Sequence, residues 1–150
     1  MKYKITYIGK EILVYQNNEV FLKVKLKRNF WNKLYFNFFL QDSLMAKATY
    51  YRWLSVSKTD VTIWNSKYGY FKDLVFYSGE DKYWIELGNI YKEKFAELFK
   101  NGNSIGSVYK RNILIGSPTD FEVNITSVEE NDIALVILSI LQIPNTQMHY

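Results

Sequence analysis

The chain has 150 residues, of which 18% are aromatic, and its formal net charge is +4, so it has the size of one domain and an excess of basic residues. It contains no cysteine and one histidine, His149, which leaves disulfides, cysteine-containing zinc sites and Ser-His-Asp triads without the residues they need. We therefore expect a single domain over residues 1–150, with no catalytic site, no metal and no cofactor.

The basic residues are concentrated at one end of the chain. Residues 1–60 contain 11 Lys or Arg against 4 Asp or Glu, and no Lys or Arg follows Arg111. Five acidic residues lie from Asp120 to Asp132. This pattern predicts a basic half that can meet phosphate in lipid or nucleic acid, or, alternatively, charges that only keep the protein in solution.

Short segments of alternating apolar and polar residues follow one another from the N-terminus. The first, 2–8 and 11–15, predict a strand with a turn or bulge at Gly9. In 20–27 aliphatic residues occupy one face and lysines the other, the pattern of a half-buried strand. Further strands are predicted over 34–40, 44–50, 52–57, 61–64, 74–77, 82–87, 105–110, 113–115 and 121–125. Turn signals recur about every 8–12 residues, as in a sandwich or barrel.

Residues 91–100 fit two interpretations. Tyr91, Phe95 and Leu98 match the spacing of a helix, whereas the Asn101-Gly102 pair that follows is a strong signal for a β-hairpin. Both interpretations stay open at this point, and we favour the strand.

An apolar helix is predicted near the C-terminus, over about 132–143. Residues 133–141 contain no charge and no polar stripe, which indicates a buried helix, and about ten residues are too few to span a bilayer. Asp132 can cap its start, or the helix begins as early as Val128 if Ser127 and Glu130 form a capping box, and Pro144 is expected to stop it.

The strands and the helix together predict a mainly β fold. An antiparallel sheet of many short strands exposes two edges unless it closes, and a closed sheet has an interior that must be filled. We therefore predict a closed antiparallel β-barrel that encloses the hydrophobic C-terminal helix.

The C-terminal third of the chain resembles the Tubby C-terminal-like superfamily, which includes the phospholipid scramblases and the bacterial LURP-one-related proteins. The resemblance rests on the glycine-containing hairpin at 101–108, the Tyr109-Lys110-Arg111 segment, the strand at 121–125, and Asp132 with the apolar helix. It covers residues 10–144 and implies a closed barrel around a hydrophobic helix. It also implies a ligand class, because Tubby domains bind phosphoinositide headgroups through basic side chains on the barrel exterior.

The basic strand is the candidate site. Its residues for binding a lipid headgroup are Lys23, Lys25, Lys27 and Arg28, joined by Lys47, Arg52 and Lys58 if the following strands pair in sequence order. The alternative is a solvated strand face whose lysines protect an edge from aggregation.

We predict a non-enzymatic, cytoplasmic binding protein, peripheral at the membrane at most, that recognises anionic membrane lipid or a protein partner. The N-terminal residues offer no signal peptide or membrane span, and nucleic acid is not the expected partner. The rival hypothesis is a small-molecule-binding or catalytic barrel with a pocket.

Overall fold

The structure is a computed structural model that describes residues 1–28, 33–53, 56–63, 69–88, 92–111, 120–126 and 132–147. Side chains are described within these ranges except for 51–53, 56–63 and 142–147.

The described chain forms strands and one helix. The strands are β1 (Lys2–Ile8), β2 (Glu11–Gln16), β3 (Glu19–Arg28), β4 (Lys33–Leu40), β5 (Ser43–Trp53), β6 (Val56–Ile63), β7 (Tyr70–Lys72), β8 (Val75–Ser78), β9 (Asp81–Leu87), β10 (Lys94–Lys100), β11 (Asn103–Arg111) and β12 (Asp120–Ile125), and the helix is α1 (Asp132–Gln147). These twelve strands belong to one sheet, in the order β6-β5-β4-β3-β2-β1-β12-β11-β10-β9-β8-β7. The strand pairs in the described part of the chain are antiparallel, and β1 pairs with β12 as well as with β2.

Alternation of apolar and polar residues decides which side of each strand is buried. In β1 the side chains of Tyr3 and Ile5 are buried, while Lys2 and Lys4 are exposed on the other face. The hairpin turns use residues that tolerate left-handed backbone, for example Asn17 (φ 53°) and Asn18 (φ 63°) between β2 and β3.

Helix α1 lies within the core. Residues 135–141 are each at most 1% exposed, as expected for a helix without a polar stripe. The hydroxyl of Ser139 donates to the carbonyl oxygen of Leu135 at 2.8 Å, so this buried polar group is satisfied within the helix. The Tyr3 hydroxyl donates to Oδ2 of Asp132 at 2.9 Å and ties the start of the helix to β1.

The size of the sheet requires it to curve. Twelve strands about 4.8 Å apart would form a flat sheet roughly 53 Å wide, and one helix, about 10 Å across, covers only a fraction of that width. The inward side chains of strands from both halves of the sheet nevertheless belong to one buried cluster together with α1. The sheet and the helix therefore share a single core.

The predicted closure into a barrel is wrong. The sheet begins at β6 and ends at β7, and in the described part of the chain no strand pairing joins these two strands. Closure would need a ladder between them, but β7 has 3 residues and faces a β6 of 8, so few backbone groups are available at this seam. The sheet is open.

The strand predictions were mostly confirmed, with errors in the middle of the chain. Residues 94–100 form a strand, which settles the ambiguity over 91–100 for the described part. The three strands predicted between 44 and 64 are two longer ones, β5 and β6, and β7 was not predicted. The strand predicted at 113–115 and the residues Trp64 and Tyr91 lie outside the described residues.

The helix extends beyond its predicted end. Pro144 does not stop α1, which continues to Gln147. A proline within a helix removes one backbone hydrogen bond, and a helix that is anchored by buried residues before it can tolerate that loss in its last turns. The proposed capping box, Ser127 and Glu130, lies outside the described residues. No helix in the described ranges is long and apolar enough to cross a membrane.

Candidate functional site

Most of the predicted basic residues lie together on the outward side of β3, β4 and β5. We call this surface the basic face, and its members with described side chains are Lys23, Lys25, Lys27, Lys33 and Lys47. Arg28 is exposed at the end of β3, but it alternates with the lysines and pairs with the buried Leu34, so it does not belong to this row. Inward residues that alternate with the lysines, such as Val24, Phe36 and Ala48, are buried. The one acidic residue in the sequences of these three strands is Glu19, at the start of β3. The alternation of β3 therefore predicted the outward row of lysines correctly.

The register of the sheet brings a lysine of β5 to the row on β3. Lys25 pairs with Asn37 of β4, and Asn37 pairs with Lys47 of β5. Two strand spacings place the Cα atoms of Lys25 and Lys47 about 10 Å apart. Strands β3, β4 and β5 therefore pair in sequence order, which was the condition for including Lys47 in the candidate site. For Arg52 and Lys58 only the backbone register is described.

Aromatic side chains lie between the lysines. Phe39 and Tyr35 are half-buried on the outward side of β4, and the ammonium group of Lys25 lies 5.3 Å from the centroid of the Phe39 ring. The sequence predicted the strand at 34–40, but its outward ring positions were not combined with the lysines. The sequence did contain a signal for these rings: Tyr35 and Phe39 alternate with the apolar Phe36 and Phe38, so the two pairs must lie on opposite faces of the strand.

Glu11 of β2 partly neutralises one lysine of this face. Lys23 lies 3.6 Å from Glu11, and both side chains are about two-fifths exposed, 40% and 41%. An ion pair this exposed contributes roughly 0–1 kcal/mol and is weakened by salt. Within the described part of the chain Lys27 has no ion-pair partner. The face can therefore attract a multiply charged anionic surface.

A second ionic cluster, on β11 and β12, was not predicted. Nε of Arg111 donates to Oε2 of Glu122 at 3.2 Å, and the same guanidinium pairs with Glu93. Burial alone would raise the pKa of Glu122, but the hydrogen bond and charge of Arg111, with smaller contributions from Asn124 and Lys2, outweigh burial and lower it. Sequence reasoning assigned Glu122 to an acidic region, and the partner could not be seen because it depends on the register between two strands.

The outward clusters differ in what they can do chemically. The basic face presents donors and positive charge, whereas the cluster around Arg111 is internally compensated. In the ranges whose side chains are described, no group of three or more His, Cys, Asp or Glu side chains could hold a metal ion.

Comparisons with known proteins give no relative for this chain. No family model, curated protein or solved structure matches it significantly. The resemblance to the Tubby C-terminal-like superfamily therefore stays a prediction.

Proposed function

We propose that the protein binds anionic membrane lipid through the basic face. The observation that carries this proposal is the concentration of basic side chains on three neighbouring strands, with half-buried aromatic rings between them. Three of the four residues expected from the sequence, Lys23, Lys25 and Lys27, belong to this surface, and Arg28 lies at the end of the same strand.

The shape and charge of the basic face favour a bilayer over a small ligand. Side chains on one side of neighbouring strands lie at similar heights, so several lysines can reach the plane of the headgroups together. Each basic residue near an anionic membrane surface contributes about 1 kcal/mol. Aromatic rings such as those of Tyr35 and Phe39 suit the membrane–water interface, because the apolar ring can lie among the lipid headgroups while the neighbouring lysines contact the lipid phosphates.

Vesicle co-sedimentation tests the proposal. The variant Lys23→Gln/Lys25→Gln/Lys27→Gln removes three charges and lowers the formal net charge from +4 to +1. If the three lysines each contribute about 1 kcal/mol, the variant should bind vesicles containing phosphatidylserine or phosphoinositide about 100-fold more weakly than the native chain. Neither protein should bind vesicles of neutral lipid.

A matched control separates this face from net charge. Three exposed lysines lie away from the basic face, namely Lys72 on β7, Lys82 on β9 and Lys92 shortly before β10, and the triple Gln variant at these positions has the same net charge of +1. We expect it to retain most of the vesicle binding. Equal loss in both variants would show attraction by net charge alone, and absence of binding by the native chain would leave the lysines as a solvated face and redirect the search to acidic protein partners.

A further inference from the structure

A polar depression lies on the outward side of the sheet, away from the basic face. It has a volume of about 470 Å³ and is formed by residues of β1, β2 and β12 and by the turn after β2. Its lining residues are Lys2, Tyr3, Lys4, Thr6, Tyr15, Asn17, Asn18, Asp120 and Glu122. Ligand pockets commonly have volumes of about 300–1,000 Å³, so this one has room for a small molecule.

The register of three strands builds this depression. Lys4 of β1 pairs with Glu122 of β12 on one side and with Tyr15 of β2 on the other. Thr6 pairs with Asp120 in the same way. The outward residues of β1 therefore form the floor, carboxylates stand on one side, and Tyr15 with the asparagine turn stands on the other.

The charges on the two sides are not equivalent. Glu122 is already bound by Arg111 from the side away from β1, at 3.2 Å. Lys4 is exposed and has no ion-pair partner among the described residues. Together with the amides of the asparagine turn, Lys4 supplies donors and positive charge, whereas the charge of Lys2 also acts on Glu122 and helps to lower its pKa.

The floor also contains buried polar groups. Oγ1 of Thr6 is buried without a hydrogen-bond partner, which is uncommon in folded proteins. Beside it, Asp120 is only 6% exposed, although it lies on the outward side of β12. A ligand hydroxyl can hydrogen-bond to the threonine hydroxyl once the groups that cover it shift, and an ionised carboxylate such as Asp120 only accepts hydrogen bonds, so it favours a ligand hydroxyl over a second anion.

We propose that this depression binds a small hydroxylated anion, such as a sugar phosphate. Its anionic group lies between Lys2 and Lys4, within reach of Asn17 and Asn18, and its hydroxyl groups bond to Thr6 and Asp120. Recognition requires both parts of the ligand, because the lysines bind the anionic group and the polar groups of the floor bind the hydroxyl groups.

Four probes separate these requirements. Glucose 6-phosphate carries both an anion and hydroxyl groups, inorganic phosphate carries the anion alone, glucose carries the hydroxyls alone, and glutamate offers carboxylates with an ammonium group. In titrations followed by amide chemical shifts, glucose 6-phosphate should bind most tightly and shift the amides of residues 2–6, 17 and 18. Phosphate and glucose should each bind at least about tenfold more weakly.

The variant Lys4→Gln tests the anion contact, and Lys10→Gln is its control, since Lys10 is exposed and does not line the depression. Lys4→Gln should weaken glucose 6-phosphate binding about tenfold and Lys10→Gln should leave it unchanged. Thr6→Val keeps the side chain's shape and removes its hydroxyl, and it should also weaken binding while leaving phosphate alone unaffected.

Three results would overturn the proposal: no shifts with any probe at millimolar concentration, tighter binding of glutamate, or equal affinity for glucose 6-phosphate and inorganic phosphate. These measurements need no membrane. Failure of vesicle binding leaves them unaffected, and the Lys23→Gln/Lys25→Gln/Lys27→Gln variant should bind the sugar phosphate as the native chain does.

Discussion

The ionisation of Glu122 is coupled to folding. Its carboxylate accepts a hydrogen bond from Arg111, and its side chain is 22% exposed. Burial opposes ionisation, but the hydrogen bonds from Arg111 and Asn124 and the charges of Arg111 and Lys2 together outweigh burial and lower the pKa of Glu122. Because the pKa is lower in the folded than in the unfolded chain, the ionised form stabilises the fold above the unfolded pKa.

We expect Glu122→Gln to destabilise the protein by about 1–2 kcal/mol at pH 7, since it replaces a charged hydrogen bond by a neutral one. The difference in free energy of unfolding should shrink as the pH falls through the lowered pKa of Glu122. Urea unfolding at several pH values measures it. The control Glu80→Gln, in an exposed turn, should be near neutral, and a pH-independent difference for Glu122→Gln would contradict the assignment.

At the level of elements, α1 is the part of the fold whose apolar character matters most. Its buried residues contact β8, β9 and β12, and they complete the core that the curved sheet cannot fill alone. The close approach of β11 and β12 is a second constraint. A Cβ atom at Gly106 would lie 2.3 Å from the carbonyl oxygen of Asn124, so the strand requires glycine at that point.

The variant Ile137→Asp should prevent cooperative folding, because Ile137 is 0% exposed. A buried charge without a partner costs several kcal/mol against a total stability of about 5–15 kcal/mol. Thermal unfolding followed by circular dichroism is the measurement. Ile8→Asp is the matched control, since Ile8 is 54% exposed and should tolerate the change. A cooperative transition of Ile137→Asp near the native midpoint would show that the helix is not buried.

At the scale of the whole molecule, local patterns were predictable and long-range ones were not. Alternation identified the outward lysines of β3 and the uniform apolarity of α1 identified a buried helix, because both depend on neighbouring residues. Strand limits in β5 failed because the sequence does not show that its backbone stays paired, first with β4 and then with β6, as far as Trp53. The prediction of a closed barrel failed because closure depends on β7, a short strand at the far end of the sheet.

The candidate sites follow the same division. The row of lysines on β3 could be predicted from the alternation of apolar and polar residues. That Lys47 lies beside this row depends on the register of two strand pairs, β3 with β4 and β4 with β5. The depression could not be predicted, because it depends on β1 pairing with β12, which brings Lys4 opposite Glu122 across most of the chain. No local signal in a sequence specifies a contact between such distant segments.

A fluorescent label on the basic face tests the central claim most directly. The chain has no cysteine, so Asn37→Cys places a single reactive thiol between Lys25 and Lys47, and Ser107→Cys places one on the outward side of β11 as the control. With an environment-sensitive dye, vesicles of anionic lipid should cause a blue shift at position 37 and little change at 107. Equal shifts at both positions, or a shift at 107 alone, would contradict membrane binding through the basic face.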